Sequence, residues 1–516
     1  MIILFHNNKT VTDVFSKEHN NIPYSKKDCI VLVLSQIAKK YPDEKIVWCH
    51  HTIENQLNTD FIENNEAFVN TIFSFNPTSS NYLSNTIGYV ESSPFINVNK
   101  TITYPTWQMS SVVGYAHASV FLRIKENIKF TSNFDYFLNS MAKSYLALGV
   151  LCYSEPSLLI EAISFTDFKA PKVSQYAIFK FIKQHYRPRW VFLMLLDLLI
   201  YEKRFPLLPF LFSFGFAKIK PQNYDLTTVP YFKHSGIDST DTIDVLIPTI
   251  GRKQYLYDFL QDLKKQTPLP KNIIIVEQNA DPNLGSELDF LTTEEWPFTI
   301  KHTFTHQLGA CNARNIALEQ LESKWVFFAD DDIRIDPSFL TDCIMNCKNY
   351  NKKAITLSCL QKGEKFINSQ PYQWSSFGTC SSFVDVAILK EIRFDLGFEF
   401  GYVDDRDYGM KIRYTGTDVI FFSTPRVFHL KAPMGGLRTK FKFEWASGKI
   451  MPKPSPTVML YKLLYDTKEM INGYKTTLCL KYYPEQPIRN PFSFLKFYNK
   501  QWNESVFWAN KLKERS

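Results

Sequence analysis

Glycine is scarce, at 18 of 516 residues, and the 27 prolines follow no period, which excludes collagen-like and low-complexity architectures. Long apolar runs are missing too. The stretch 190–201 contains Asp197, and 205–216 is interrupted by Pro206 and Pro209, whereas a bilayer span takes about 20 apolar residues. Neither stretch is expected to cross a membrane, and both suit buried or interfacial helices. The nine cysteines form no C-x-x-C, and Cys343 and Cys347, at i and i+4, have no histidine pair beside them. The expectation is reduced, buried thiols in a cytoplasmic protein. No long Lys/Arg block occurs, so nucleic acid is not expected as a partner. The start, Met1-Ile2-Ile3-Leu4-Phe5-His6, has no basic flank and too short an apolar run for a signal peptide, and reads as a buried strand.

What is present is a globular composition: 45% hydrophobic, 21% charged, and 16% Phe, Tyr and Trp. The length corresponds to about three domains at roughly 100–200 residues each. The net charge of +8 suits anionic substrates such as nucleotide diphosphates, or an anionic membrane surface. Four parts are expected: an α/β module over 1–165, a helical, basic and apolar linker over 166–240, a second α/β domain over 241–440, and a helical region over 441–516. In the last, Phe494, Tyr498, Trp502 and Val506 recur every four residues, as one apolar helix face would.

The second α/β segment carries the chemistry. Ile243-Asp244-Val245-Leu246-Ile247 and Ile273-Ile274-Ile275-Val276 read as buried strands flanking a helix with Leu256, Phe259, Leu260 and Leu263, a βαβ unit of a parallel sheet. Ligands sit beyond the carboxyl ends of such strands, where Thr249, Arg252 and Glu277 would stand. A third strand, Trp325-Val326-Phe327-Phe328-Ala329, runs into Asp330-Asp331-Asp332. In extended geometry Asp330 and Asp332 would share a face with Asp331 turned away, a pair suited to a hard divalent cation on phosphate oxygens; an acidic turn capping a helix is the plain alternative. Asp404-Asp405-Arg406-Asp407 opens a helix that Lys411, Arg413 and Gly416 close. That order matches the helix dipole, whose positive end would hold Asp405 ionised, as a general base must be.

Together these motifs resemble an inverting glycosyltransferase of the GT-A fold, family 2 type, over about 241–440. The resemblance rests on Ile247-Pro248-Thr249 after the first strand, Gly309 with Ala313-Arg314-Asn315 at a helix start, Asp330-Asp331-Asp332 as the D-x-D motif, Asp404-Asp405 as the E-D motif, and His429 after the last core strand. Asp404 replaces the usual Glu, and Glu277-Gln278 replaces the commoner Asp-Asp. The resemblance implies that Asp330, Asp332 and His429 hold Mn²⁺ or Mg²⁺, with the imidazole favouring Mn²⁺. It implies that Asp405, with Asp404 beside it, is the catalytic base, and that Thr249, Arg252, Glu277, Arg314, Asp330 and Asp331 line the nucleotide. The donor would be a UDP- or GDP-linked sugar and the acceptor a glycan or lipid-linked hydroxyl. Trp374 and Phe377-Gly378-Thr379 would face sugar or, for Trp374, the core; Lys431 and Gly435-Gly436-Leu437-Arg438 would close over the diphosphate or form a plain turn.

The first module reads as a decayed repeat of this domain. Trp107 is set beside Trp374, Lys129-Phe130 beside Arg393-Phe394, Gly149 beside Gly416, and Tyr153-Ser154-Glu155-Pro156 beside Phe422-Ser423-Thr424-Pro425. Its counterpart of the acidic helix start would be Phe137-Leu138-Asn139-Ser140, and its D-x-D strand would end at Phe75-Asn76, without carboxylates. Residues 176–220, apolar with basic rims, suit either a membrane interface or packing between domains.

Two rivals remain. A non-catalytic glycan-binding scaffold is disfavoured by the retained acids and His429. A nucleotidyltransferase would need a longer Gly-rich loop than Pro248-Thr249-Ile250-Gly251-Arg252. A processive synthase is disfavoured by the lack of spans and of Q-x-x-R-W.

Overall fold

The computed structural model describes residues 1–123, 133–161, 173–220, 236–365, 370–433 and 441–514. Lys129-Phe130, the Gly435–Arg438 loop and parts of the 166–240 linker fall outside these residues. The chain forms two compact units, Met1–Tyr231 with Asp466–Glu485, and Phe232–Tyr465 with Gln486–Ser516. The C-terminal 441–516 segment is therefore shared between them.

Among the described residues the first unit holds seven strands: β1 (Ile2–His6), β2 (Val11–Ser16), β3 (Lys45–His50), β4 (Thr71–Phe75), β5 (Tyr104–Pro105), β6 (Val113–His117) and β7 (Leu151–Ser154). Their order is β2-β1-β3-β6-β4-β7-β5. β1 and β4 are buried throughout, including the polar His6, Thr71 and Ser74. Trp48 fills the middle of the core, and Gly114 on the neighbouring β6 makes room for it: a Cβ there would lie 2.3 Å from the indole.

The second unit holds nine strands: β8 (Ile243–Thr249), β9 (Asn272–Gln278), β10 (Thr299–Thr305), β11 (Trp325–Ala329), β12 (Ile333–Ile335), β13 (Ala354–Leu360), β14 (Tyr372–Gln373), β15 (Ser381–Asp385) and β16 (Ile420–His429). The order is β10-β9-β8-β11-β15-β13-β16-β12, with β14 on β16. β10, β9, β8 and β11 are mutually parallel, as the βαβ reading expects, and β15 is antiparallel to β11. The core joins Leu246, Ile274, Val326 and Phe328 to Phe377 and Tyr408. An acidic side chain is buried among these strands as well. Asp244, fully buried on β8, accepts from Asn272 Nδ2 (2.8 Å), the amides of Glu322 (2.7 Å) and Ser323 (3.0 Å), and the Ser323 hydroxyl (2.6 Å). Four donors compensate its desolvation and tie β8 to β9 and to the start of β11.

Six strands of the first sheet repeat the pairing of the second. β1-β3-β6-β4-β7-β5 follows parallel, antiparallel, antiparallel, parallel, antiparallel, as β8-β11-β15-β13-β16-β14 does. This register corrects four details of the sequence alignment, one being that Tyr153 matches Ile420, so Tyr153-Ser154-Glu155-Pro156 stands beside Ile420-Phe421-Phe422-Ser423 and not beside Phe422-Ser423-Thr424-Pro425. The strand corresponding to β11 is β3, not β4, and it runs into His50-His51-Thr52 where β11 runs into the three aspartates. The helix Phe134–Tyr145 does open with a carboxylate, Asp135, second in its helix as Asp405 is in Asp404–Arg413, but Asp135 accepts from the Ser111 amide (2.8 Å). Thr106, not Trp107, matches Trp374, because both amides donate to the strand paired with their own: to Cys152 and to Val419. Gly149 and Gly416 do correspond, both with positive φ and both four residues before paired positions on β7 and β16.

At the C-terminal end of the chain, the helix Lys468–Tyr482 belongs to the first unit and the helix Pro491–Lys513 to the second. The latter buries Phe494, Tyr498 and Trp502 of the expected face, whereas Val506 is only half-buried and Ser505 and Ala509 are the buried residues there. Among the described residues no helix is long and apolar enough to cross a membrane. All nine cysteines are unpaired; five are buried and four half-buried, so the expectation of burial holds only in part.

Candidate active site

Parallel strands deliver their carboxyl ends to one edge of the second sheet, and a cavity of about 850 Å³ opens there. Thr249 and Arg252 reach it from the end of β8, Gln278 from β9, Asp330–Asp332 from β11, and His429 from β16. Leu308 to Cys311, Arg314, Phe377 to Cys380, Phe398 to Asp405 and Lys431 also line it.

The three aspartates differ in their main partners, although Arg252 Nη1 also lies 3.5 Å from Asp332 Oδ2. The extended geometry assumed for them stops at Ala329, and Asp331 and Asp332 lie in the turn toward β12. That turn, not strand alternation, brings Asp330 and Asp332 to one cavity. Asp331 is fully buried and accepts from Thr249 Oγ1 (2.6 Å) and Arg252 Nη1 (2.6 Å). Burial pushes its carboxyl up to about 6 despite Arg252. Thr249 and Arg252 thus border the cavity as supports of the acidic turn. Asp332 is also buried, with Oδ2 accepting from the Ala432 amide (2.8 Å) and Oδ1 3.2 Å from His429 Nε2. Burial alone would raise its pKa, but the imidazole and the amide outweigh that and hold it at about 2. The same pairing raises the His429 pKa against the effect of burial.

Arg314 joins the two acidic motifs. Its side chain is 6% exposed, with Nη2 3.2 Å from Asp330 and Nη1 3.5 Å from Asp404. The guanidinium also lies over the Phe394 ring, 5.5 Å from its centroid. Asp330 therefore turns to Arg314 while Asp332 turns to His429, and Asp330, Asp332 and His429 do not bring three donor atoms within 4.8 Å of one another. Among the described residues the trio that does is Glu18, His19 and Glu44, near the N-terminus. The donor chemistry at the cavity still fits a hard or borderline divalent ion: an ionised carboxylate and an imidazole in contact, with a second carboxylate on the same wall.

Asp405 faces the cavity from the first turn of its helix. The dipole was expected to keep it ionised, but burial, followed by its neighbour Asp404, pushes its carboxyl up to about 6. Its Oδ1 accepts from the Arg406 amide (2.8 Å). The residue before the helix, Val403, has φ 72°, and Phe400 has φ 59°, so this wall carries two non-glycine residues in the left-handed region. Asp407, the third acid of the motif, is structural: it is buried, with Lys411 at 3.0 Å and the Tyr465 hydroxyl donating at 2.7 Å.

Two expected positions lie elsewhere. Glu277 is outside the cavity wall, because neighbours on a strand face opposite ways. Its carboxylate takes His302 Nε2 (3.0 Å) and the Glu287 amide (3.1 Å), while Gln278 faces the cavity and accepts from the Gly309 amide (2.6 Å). Trp374, half-buried, packs on Tyr372 and Phe421 and is not part of the cavity wall, whereas Phe377, Gly378 and Thr379 line it. One wall residue has no signal in the sequence. Glu399 caps the helix Ala310–Leu318, accepting from the amides of Cys311 (3.1 Å) and Asn312 (2.8 Å).

Solved structures similar to this chain include S. aureus TarS 1–349 in complex with UDP, 19% identical over 37% of this chain and 61% of that one, TM-score 0.31. The same TarS segment with UDP-GlcNAc is 17% identical over 45% and 69%, TM-score 0.34. GalNAc-T7 with UDP, GalNAc and Mn²⁺ is 11% identical over 51% and 55%, TM-score 0.36. This chain thus spans about three fifths of the TarS structure with UDP. No curated protein matches it. The family model for glycosyl transferase family 2 matches residues 244–402, the stretch that runs from β8 through the acidic turn to the edge of the E-D motif. The match to glycosyl transferase family 2 thus lies wholly within the second unit, on the strands and turns that build the cavity.

Proposed function

We propose that this protein is an inverting, metal-dependent hexosyltransferase that moves one sugar from a nucleotide-sugar donor to an acceptor hydroxyl in surface-glycan synthesis, in the cytoplasm. The observation that carries the reading is the presence of Asp405 and the Asp330–Asp332 turn on the walls of one cavity.

Asp405 is the catalytic base. With a carboxyl near 6 it is ionised at neutral pH, yet basic enough to take a proton from an acceptor hydroxyl. The hydroxyl attacks the anomeric carbon from the face opposite the diphosphate, the bond to diphosphate breaks, and configuration inverts. Asp404, bound to Arg314, keeps the first turn of the Asp405 helix fixed against the acidic turn. Asp332 and His429, with Asp330 released from Arg314, would hold Mn²⁺ or Mg²⁺. A bound divalent ion there would supply positive charge for the leaving diphosphate. Arg252 and Thr249 hold the acidic turn in shape through Asp331. The donor is UDP- or GDP-linked and the acceptor a glycan or lipid-linked hydroxyl; the TarS and GalNAc-T7 structures, solved with UDP, favour the former base only by likeness. The first unit is a GT-A-like module without site carboxylates at the end of its β3, serving as acceptor-binding element or scaffold.

The test is hydrolysis of UDP- and GDP-sugars with and without Mn²⁺, in wild type and Asp405→Asn. Metal-dependent release of nucleoside diphosphate, lost in the variant, is expected. Identical rates in both proteins, with no transfer to any acceptor, would leave a binding scaffold instead.

A further inference from the structure

Three helices of the first unit, Gln175–His185, Arg189–Glu202 and Leu207–Ser213, leave an unusual amount of apolar surface in water. Phe192, Leu207, Leu208, Leu211, Phe212 and Phe214 are all exposed, Leu208 by 69%. They cluster rather than scatter, with Leu208, Leu211 and Phe212 at i, i+3 and i+4 on one helix face and rings in contact beside it. Phe192 meets both Phe210 and Phe214, with centroids 5.2 and 5.8 Å apart, and Phe212 meets Tyr176 and Phe216 at 5.2 and 5.1 Å. The helix Arg189–Glu202 is apolar round its circumference, burying Val191, Met194 and Leu198 on one side while Phe192, Leu199 and Ile200 stay exposed on the other. At 14 residues it is about 21 Å long, too short to cross a bilayer.

The rim is cationic. Arg187, Arg189, Lys203, Arg204, Lys218 and Lys220 are exposed, and of the two acids over 173–220, Asp197 is buried and Glu202 pairs with Arg204. Arg189 stands one turn ahead of Phe192 on its helix, and Lys180 and Lys183 flank Phe216, the first over its ring and the second on its carbonyl. Apolar side chains beside exposed cations, in a segment whose two acids are buried or paired, match a bilayer surface with anionic headgroups, into which the rings insert while the cations meet phosphate.

We propose that this face docks the protein on an anionic phospholipid membrane, as a peripheral contact that does not span it. The inference does not depend on the transferase reading. Flotation of the full chain with vesicles of phosphatidylcholine alone, or with phosphatidylglycerol added, tests it; nucleotide-sugar hydrolysis without vesicles tests the other. Wild type should float with the anionic vesicles, not with the neutral ones, and high salt should release it. Lys218→Ala with Lys220→Ala should weaken partition roughly thirtyfold, and Leu208→Ser with Leu211→Ser should abolish it, with thermal midpoints of the free variants matching wild type. Failure of wild type to float with anionic vesicles would overturn the proposal, and that measurement needs no variant. Unchanged flotation of folded variants would overturn it too. So would a wild-type dimer that Leu208→Ser with Leu211→Ser splits, since the face would then belong to a second copy of this chain.

Discussion

The carboxylate of Glu399 occupies the space that a side chain on Gly309 would need: a Cβ there would lie 2.3 Å from Glu399 Cδ and Oε2. Gly309 has φ 137°, and directly after it the helix bearing Arg314 begins, its first free amides taken by that same carboxylate. The glycine and the acid, 90 positions apart in the chain, form one joint that sets where Arg314 meets Asp330 and Asp404.

Gly309→Ala should therefore do more than strain a turn. It displaces Glu399 and uncaps the helix, with an expected loss of about 2 kcal/mol or more. Urea denaturation measures it; a loss within experimental error of zero would show that the joint is slack. Glu399→Gln keeps one acceptor and should lose less.

Asp405 links activity and stability through one proton. Turnover should fall about tenfold per pH unit below about 6, where the base is protonated, and Asp405→Asn should lose on the order of 10²–10⁴ in rate. Stability runs the other way. The folded pKa is raised, so the folded state is favoured below the unfolded value near 3.8 and loses that advantage as pH rises through about 6. Asp405→Asn should accordingly be more stable than wild type at pH 7, by about 3 kcal/mol, and gain far less at pH 4. Denaturation midpoints at the two pH values decide this.

Arg314→Gln should leave Asp330 and Asp404 facing each other without a cation. A stability loss of about 1–3 kcal/mol is expected, together with a larger fall in turnover than Arg314→Lys causes, because ammonium carries charge but not two separated donors. Equal turnover in the two variants would mean that charge alone matters there.

Val403→Gly removes a β-branched residue from the left-handed region just before the E-D motif. Relief of strain should stabilise the fold by about 1 kcal/mol, partly offset by the freer unfolded chain. Turnover should drop, since the Asp405 helix would lose its stiff lead-in. Calorimetry and steady-state rates on one preparation check both signs.

Much of the second unit was legible in the chain. β8, β9 and β11 are runs of Val, Ile and Phe bounded by polar residues, and such runs bury wherever they fold. The acidic turn and the acidic helix start could be placed because each immediately follows or opens such an element. Asp405 could not be graded: its position was readable, but its raised pKa comes from burial and from Asp404 beside it. The first unit was legible as a repeat and misread in register, because β4 ends in a polar residue just as plausibly as β3 does. Only hydrogen-bond partners distinguish them: β3 is the strand that pairs parallel to β1.

Local pattern alone determined which segments form strands and helices and which acids stand at their ends, since periodicity and chain direction are properties of near neighbours. Tertiary structure decided the partners: Glu399 on Gly309, Arg314 between two motifs, His429 on Asp332, and Gln278 rather than Glu277 at the cavity. Those pairings join residues 16 to 97 positions apart, apart from the Glu277–Gln278 choice. They are fixed by packing and desolvation, and neither is a function of sequence spacing.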